Sequence, residues 1–204
     1  MRLFIIGGGE DRCCGAGVLE RFVELSGGDR ARITLVTTAT GIPDEVHAEY
    51  EQVFRKLGVA STTELRLHGR ADADSDRAES VLRGATGVFF SGGDQSRIRA
   101  LVGSRANEIL SERLADGLVI AGTSAGATAL GRTMILGGRR ADVSAAAVRT
   151  APGLGLLSGV LIDMHFAERG RLARLLAAVA LAPDHIGWAS TRTPQSWSKD
   201  PGSR

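Results

Sequence analysis

Short apolar runs alternate with amphipathic stretches along most of this chain, and that alternation constrains the fold more than any other feature. The runs have the length of strands and lie at Arg2–Ile6, Ala31–Val36, Thr63–Leu67, Gly87–Phe90, Leu118–Ala121 and Gly159–Ile162. The stretches between them are apolar at about every third or fourth position, which predicts helices at Gly17–Leu25, Asp44–Leu57, Arg77–Arg83, Ser104–Asp116 and Glu168–Ala180. Strands that alternate with helices predict an α/β fold with a doubly wound, mainly parallel sheet covered on both faces.

Composition and charge argue against several classes of protein. The chain has 204 residues, of which 43% are hydrophobic and 24% charged, as is usual for a globular protein. Its net charge of +2 gives no strong attraction to nucleic acid or to an anionic membrane. No apolar run has the length of a membrane span, and we expect no signal peptide.

The only cysteines, Cys13 and Cys14, are adjacent, so we expect no disulfide within the chain and a cytoplasmic location. We see no linker or repeat before residue 186 and expect one domain over residues 1–187.

The segment with the clearest chemistry is Gly122-Thr123-Ser124-Ala125-Gly126, which follows a buried strand and precedes a helix. G-x-S-x-G at such a junction fits a nucleophile elbow, in which a tight turn exposes one serine hydroxyl above the sheet. The helix start also directs free N–H groups towards the serine, where they could hold an oxyanion. The alternative is that Ser124 only caps the helix.

Glycine-marked turns should meet at the carboxyl edge of the sheet, where ligands bind in open α/β folds. These turns are Gly7-Gly8-Gly9-Glu10-Asp11, Thr37–Thr40, Ser91–Gln95 and the Ser124 elbow. A dinucleotide site at residues 5–12 is a weak alternative, because Arg12 stands where the third glycine of G-x-G-x-x-G belongs. We therefore expect no cofactor and no metal.

Several motifs in series resemble the cyanophycinases, serine peptidases related to the aspartyl dipeptidases. They are IIGGGEDR, ARITLVTTAT, GVFFSGGDQSRI, AGTSAGA and DMHFAERGRLARLL, in the order of the family and over residues 1 to about 186. The resemblance implies a fold like that of the class I glutamine amidotransferases and a homodimer. It implies hydrolysis of cyanophycin, a poly-aspartate that carries arginines in isopeptide linkage, with release of β-aspartyl-arginine dipeptides.

The resemblance also assigns roles to individual residues. Ser124 is the nucleophile and His165 its general base, while Gly93 and the Ala125 N–H lie near the oxyanion. The implied substrate-binding residues are Gln95, Asp163, Arg169, Arg171 and Arg174.

The residues give independent reasons for some of these roles and leave alternatives open for others. His165 follows a predicted strand and so should reach Ser124 at the same sheet edge, although a lone histidine is more often an ordinary core or surface residue. The cluster of arginines after His165 can form bidentate hydrogen bonds with substrate carboxylates, or it can be a solvated face of the helix. On one helix Arg169, Arg171 and Arg174 cannot share a narrow stripe, so we expect at least one to point away. Gln95 can bind a substrate amide or cap a helix, and Asp163 can hold a guanidinium or orient a loop.

The sequence departs from the family pattern at two places. Met164 stands where the family has glutamine, which predicts that specificity has drifted from cyanophycin. After Gly187 the family continues with a strand and a glycine-isoleucine-aspartate-glutamate segment whose glutamate completes the triad. Here residues 188–204 contain no Val, Ile, Leu or Phe.

A shifted reading frame would account for this tail. Reverse translation of residues 187–198, read one frame away, restores the glycine-isoleucine-aspartate-glutamate segment and a run of valines. Our hypothesis is that a frameshift produced the tail at 188–204. The C-terminal part of the fold would then be missing, and the loss of the triad acid would impair the activity. We expect that no strand continues past about Gly187 into the sheet and that the tail is mobile or loosely placed. Asp200 is the only acidic residue in the tail that could replace the triad acid. An exposed sheet edge and apolar surface should then favour aggregation.

Three functions remain open after this comparison. The first is a serine-type exopeptidase that acts on cyanophycin, and the second is an α-aspartyl dipeptidase. The third is a non-catalytic remnant of the family. A glutamine amidotransferase would carry cysteine at the elbow, where this chain has Ser124.

Overall fold

A computed structural model describes residues 1–10, 17–138 and 148–191. In these ranges the strands are β1 Arg2–Ile6, β2 Arg32–Val36, β3 Ser61–Leu65, β4 Gly87–Phe90, β5 Val119–Thr123, β6 Thr133–Gly138, β7 Val148–Pro152, β8 Val160–Met164 and β9 Ile186–Ser190. The α-helices are α1 Gly17–Leu25, α2 Pro43–Lys56, α3 Arg70–Ala73, α4 Asp76–Gly84, α5 Arg105–Ala115, α6 Ala125–Ala129, α7 Phe166–Arg169 and α8 Leu172–Leu181. Two 3-10 segments lie at Gly28–Arg30 and Gln95–Ala100.

The centre of the protein is a five-stranded sheet with the order β1-β5-β4-β2-β3. Every pairing in it is parallel. The predicted α/β class with a parallel sheet is therefore confirmed. The strand order also brings the carboxyl ends of β1, β5, β4 and β2 side by side.

Helices cover both faces of this sheet because the buried strands alternate their side chains between two apolar layers. In β4, Phe89 packs with α1 and α2 residues, while Val88 and Phe90 pack with α4, α5 and α6 residues. In β2, Ile33 and Leu35 belong to the first of these layers. Both faces of β4 are thus apolar, which explains the unbroken run GVFF and the full burial of that strand.

Two smaller sheets stand beside the central one. The antiparallel hairpin β6–β7, which the sequence analysis did not predict, has an irregular register between Ile135 and Gly137. Strands β8 and β9 pair in parallel with each other. The hairpin and β8 both contact the region around α6, so these sheets stand next to the Ser124 elbow.

Two predicted boundaries differ from the structure for identifiable reasons. The helix expected at Glu168–Ala180 is interrupted, since Gly170 adopts φ 56° and separates α7 from α8. The strand expected at Thr63–Leu67 lies two residues earlier, at Ser61–Leu65. Leu67 is buried, but its N–H donates to Thr38 Oγ1 rather than to a strand.

The expectation that no strand continues past Gly187 is wrong. Strand β9 runs to Ser190 and pairs with β8 over its whole length, because the backbone hydrogen bonds of this ladder do not require buried apolar side chains. The strand is poorly covered, and Trp188 is 55% exposed. The hypothesis of a frameshifted tail stays a prediction, and Asp200 lies outside the described residues.

None of the helices in the described residues combines the length and apolar character required for a bilayer span. Cys13 and Cys14 lie outside the described residues.

Candidate active site

The turn after β5 holds Ser124 in a conformation that L residues rarely adopt. Its backbone has φ 50° and ψ −113°, immediately before α6. The Ser124 N–H donates to the Ile6 carbonyl at 3.0 Å, which ties the turn to the end of β1. This geometry is that of a nucleophile elbow, in which strain directs the hydroxyl away from the sheet.

The two glycines of the motif are required by close packing. A Cβ on Gly122 would lie 2.6 Å from the Gly126 carbonyl carbon. A Cβ on Gly126 would collide with the Phe90 carbonyl of the neighbouring strand. The small residues therefore let α6 start directly on top of the sheet, with Ser124 at its first turn.

His165 reaches Ser124 from the end of β8. The Ser124 Oγ and the His165 Nε2 are 2.7 Å apart, within hydrogen-bond distance. His165 also has a positive φ, of 53°. A Cβ at Gly8 would lie 2.7 Å from the His165 Cε1, so the glycine turn after β1 packs against the ring. The structure thus brings together the two residues that the sequence analysis paired, and their catalytic roles stay predictions.

The two groups expected near an oxyanion lie in the same cavity. Gly93 and Ala125 both line the space beside Ser124, a cavity of about 260 Å³ that we call the Ser124 cavity. Ala125 is the first residue of α6, where a backbone N–H has no acceptor within the helix. Gly93 has φ 143°, and a side chain there would collide with the Ala39 carbonyl. The adjacent Asp94 N–H donates to that carbonyl at 2.8 Å.

Gln95 lies in the wall of the Ser124 cavity and connects it to the hairpin. Its Nε2 donates to the Ile135 carbonyl of β6 at 2.7 Å. The cap of the 3-10 segment is Asp94 instead, which accepts the Ser96 N–H at 2.8 Å. Hydrogen bonds from the Ser96 side chain and backbone lower the pKa of Asp94 below its ordinary value. Asp94 is therefore a carboxylate at neutral pH, at the rim of the cavity.

Asp163 holds an arginine of this chain. Its carboxylate is 1% exposed and accepts the Arg174 Nε at 2.9 Å, with a second hydrogen bond from Arg174 Nη2. Arg171 Nη1 is 3.4 Å from the same carboxylate and also donates to the Met164 carbonyl. The guanidinium that Asp163 holds in the structure belongs to this chain, and its role in substrate binding stays a prediction. Asp163 stands behind the arginines and is not in the cavity wall.

All three candidate arginines line the Ser124 cavity. The expectation that one of them points away is wrong, because Gly170 breaks the helix between Arg169 and Arg171 and helical spacing does not apply across it. Burial lowers the pKa of Arg171, and repulsion from Arg174 lowers it further. Such a cluster gives the cavity the donors that a carboxylate-bearing ligand requires.

Met164 forms an apolar part of the same cavity. It is 2% exposed and packs with Ala127 and Ile162. The amide that the family pattern has here is thus replaced by a buried thioether next to His165. In the described residues no group of three or more His, Cys, Asp or Glu side chains is arranged to hold a metal ion.

The sequence analysis missed a buried carboxylate beneath the elbow. Glu10 is 4% exposed and accepts a hydrogen bond from Thr123 Oγ1 at 2.7 Å and another from the Tyr50 hydroxyl. Thr123 immediately precedes Ser124, so Glu10 connects the β1 turn, α2 and the elbow. Its position in the GGGED turn, at the predicted carboxyl edge, was the available signal.

We expect Glu10→Ala to lower the free energy of unfolding by on the order of 2–4 kcal/mol, because each orphaned buried hydroxyl costs about 1–3 kcal/mol. Denaturant titration of the purified variant measures this loss. The matched control is Glu20→Ala, which removes an exposed glutamate from α1. Adding Thr123→Val and Tyr50→Phe to Glu10→Ala should recover much of the stability. A loss for Glu10→Ala no larger than that of the control would contradict the role of Glu10.

Comparison with known proteins gives a consistent picture. The family model "Peptidase family S51" matches residues 3–189. A cyanophycinase from a Nostoc species is 35% identical over 188 residues, which cover 91% of this chain and 63% of the relative. A cyanophycinase from Synechococcus elongatus is 39% identical over 185 residues, which cover 89% and 58%. The chain therefore spans about three fifths of the length of these curated relatives.

Solved structures share the fold. A peptidase from an acI-B1 actinobacterium superposes with a TM-score of 0.72 at 21% identity, covering 93% of this chain and 80% of that one. A putative peptidase E protein from Listeria monocytogenes superposes with a TM-score of 0.60 at 17% identity, covering 92% and 88%. At these identities the likeness concerns the fold alone.

Proposed function

Since this chain belongs to peptidase family S51, we propose that it is a serine-type peptidase that hydrolyses cyanophycin and releases β-aspartyl-arginine dipeptides. The observation that carries the proposal is the 2.7 Å distance between Ser124 Oγ and His165 Nε2 at a strained elbow. The arginines beside that pair support a substrate rich in carboxylates.

In the proposed mechanism, Ser124 Oγ attacks the scissile carbonyl while His165 Nε2 takes its proton. The Gly93 and Ala125 N–H groups stabilise the oxyanion that forms. Collapse of this intermediate breaks the C–N bond, and the imidazolium returns the proton to the leaving amine. Water then attacks the acyl-enzyme with His165 again as base, and the free carboxylate and Ser124 are regenerated.

A second candidate is an α-aspartyl dipeptidase, which Met164 favours. At this position the family pattern has a glutamine, whose amide could bind the polymer next to the base. This chain has the buried apolar side chain of Met164 instead. Both candidates share the same nucleophile and differ only in the substrate that the cavity accepts.

The experiment that tests the proposal is incubation of the purified chain with cyanophycin and, separately, with α-aspartyl dipeptides. We expect β-aspartyl-arginine to be released from the polymer, as measured by mass spectrometry. Release from α-aspartyl dipeptides alone would favour the second candidate. Hydrolysis of neither substrate would contradict both and indicate a non-catalytic remnant.

A further inference from the structure

A second cavity lies near the Ser124 cavity, at the same carboxyl edge of the sheet. It has a volume of about 420 Å³ and is lined mainly by polar side chains: Thr37, Thr38, Thr40, Arg66, His68 and Arg97. We call it the threonine cavity. The turn between β2 and α2 supplies its threonines, and Gly93 of the Ser124 cavity packs directly on this turn at Ala39. The two cavities are therefore neighbours across one loop contact.

In the described residues, the charged side chains that line the threonine cavity are two arginines, Arg66 and Arg97, with His68 beside them. Arg97 Nη1 donates to the Thr40 carbonyl at 2.7 Å, which fixes the guanidinium at the cavity wall. Arg66 Nη2 is held by Asp44 at 2.5 Å and by Glu64 at 3.1 Å, two carboxylates that do not line this cavity. The exposed His68 completes the set. A lining of this kind fits an anionic group and not a cation.

Two of the three threonine hydroxyls strengthen this preference, while that of Thr37 donates to Glu64 Oε1 at 2.6 Å. Thr38 Oγ1 accepts the Leu67 N–H at 3.2 Å, and Thr40 Oγ1 accepts the Ile42 N–H at 3.2 Å. A hydroxyl that accepts one hydrogen bond still has its own proton to donate. Both residues are only 8% exposed. Little water would therefore have to leave these hydroxyls, and little side-chain freedom would be lost, when a ligand binds.

The distance from Ser124 fits a polymer. Strands β5, β4 and β2 are consecutive in the sheet, so the ends of β5 and β2 are separated by two strand spacings, roughly 10 Å. About three extended residues cover that distance. In cyanophycin each arginine is joined through its α-amino group, which leaves one α-carboxylate free on every repeat.

From this arrangement we infer that the threonine cavity is a second substrate subsite, which binds the arginine α-carboxylate of a repeat about three residues along the polymer from the scissile bond. The inference rests on the proposed function and adds to it. It predicts that the protein prefers chains of several repeats over a single repeat.

The test uses the Ser124→Ala chain, so that ligands are not consumed, with cyanophycin oligomers of one and three repeats. Calorimetry measures the affinity, and the ring resonances of His68 and His165 report on the two cavities separately. We expect one repeat to shift only the His165 signal and three repeats to shift both. Arg97→Gln should weaken binding of three repeats by about 10-fold, the loss of one charge-assisted hydrogen bond, and leave binding of one repeat unchanged.

The control is Arg99→Gln, an exposed arginine in the same 3-10 segment that does not line the cavity. If Arg97→Gln does not fold, His68→Ala takes its place, with weaker binding of three repeats expected. Equal affinities for both oligomers with an unmoved His68 signal would overturn the second subsite and leave the proposed function intact. An unmoved His165 signal with every oligomer would contradict the proposed function instead.

Discussion

Replacing Ser124 by alanine is expected to lower the rate of hydrolysis by about 10⁶-fold, the loss seen when the nucleophile of a serine peptidase is removed. The physical reason is that the Ser124 Oγ is the proposed attacking oxygen and lies 2.7 Å from His165 Nε2, which would take its proton. The elbow itself should survive, because alanine keeps the backbone hydrogen bond from residue 124 to Ile6. The measurement is dipeptide release, compared between the two chains at equal concentration.

A covalent probe makes this first prediction independent of the substrate. A serine-directed fluorophosphonate should label the native chain at Ser124 and leave the Ser124→Ala variant unlabelled, as read by peptide mass spectrometry. Ser80→Ala, which removes an exposed serine from α4, should keep both labelling and hydrolysis. Labelling at a different serine would contradict the assignment of the nucleophile.

Replacing Asp163 by alanine is expected to lower the free energy of unfolding by about 3–5 kcal/mol, because it leaves a buried guanidinium without its partner. Arg174 is 9% exposed, so the little water that reaches it replaces the lost carboxylate poorly, and Arg171 adds a second positive charge nearby. Denaturant titration gives the size of the loss. Because Asp163 lies two residues before His165, hydrolysis should also fall.

The controls for this second prediction separate burial from charge. Glu112→Ala breaks an exposed ion pair with Arg83 and should cost at most about 1 kcal/mol. The double variant Asp163→Leu with Arg174→Met removes the buried pair as a unit and should be much more stable than Asp163→Ala alone. Equal losses for Asp163→Ala and Glu112→Ala would contradict the account of the buried pair.

The central sheet could be predicted from sequence because its strands are buried on both sides. The prediction for β1 at Arg2–Ile6, for β4 at Gly87–Phe90 and for α1 at Gly17–Leu25 matches the structure residue for residue. These elements are buried in the two apolar layers, so the spacing of their apolar residues follows the period of the strand or helix. That spacing is visible in the sequence. The sequence also predicted that Ser124 and His165 meet, but the expected reason, strands of one shared sheet, does not hold. Strand β8 pairs with β9 in a separate sheet and contacts α6, which places His165 beside the elbow.

Elements with partial burial could not be predicted in this way. The hairpin β6–β7 mixes glycine with half-buried positions, so it shows no clear period. Strand β9 is held by backbone hydrogen bonds to β8, which leave no apolar signature in the side chains. The break at Gly170 depends on a left-handed backbone conformation that a glycine permits and does not require.

Local sequence patterns could not predict contacts between polar residues that are distant in the sequence. Glu10 and Thr123 are 113 positions apart, and their hydrogen bond exists only because β1 and β5 are neighbours in the sheet. The pairing of Asp163 with Arg174 likewise depends on how α8 packs on β8. The family resemblance implied substrate binding for both residues, and the fold pairs each of them with the other.

Among the described residues other than glycine, only Ser124 and His165 have a positive φ. Such conformations cost of order 1–3 kcal/mol each, and a glycine would remove most of that cost at either position. Selection for a stable fold alone would therefore replace both side chains. In the proposed mechanism these two residues are the catalytic pair, so the proposal implies that stability is exchanged for activity here. Changes that stabilise the protein should then be sought away from this pair.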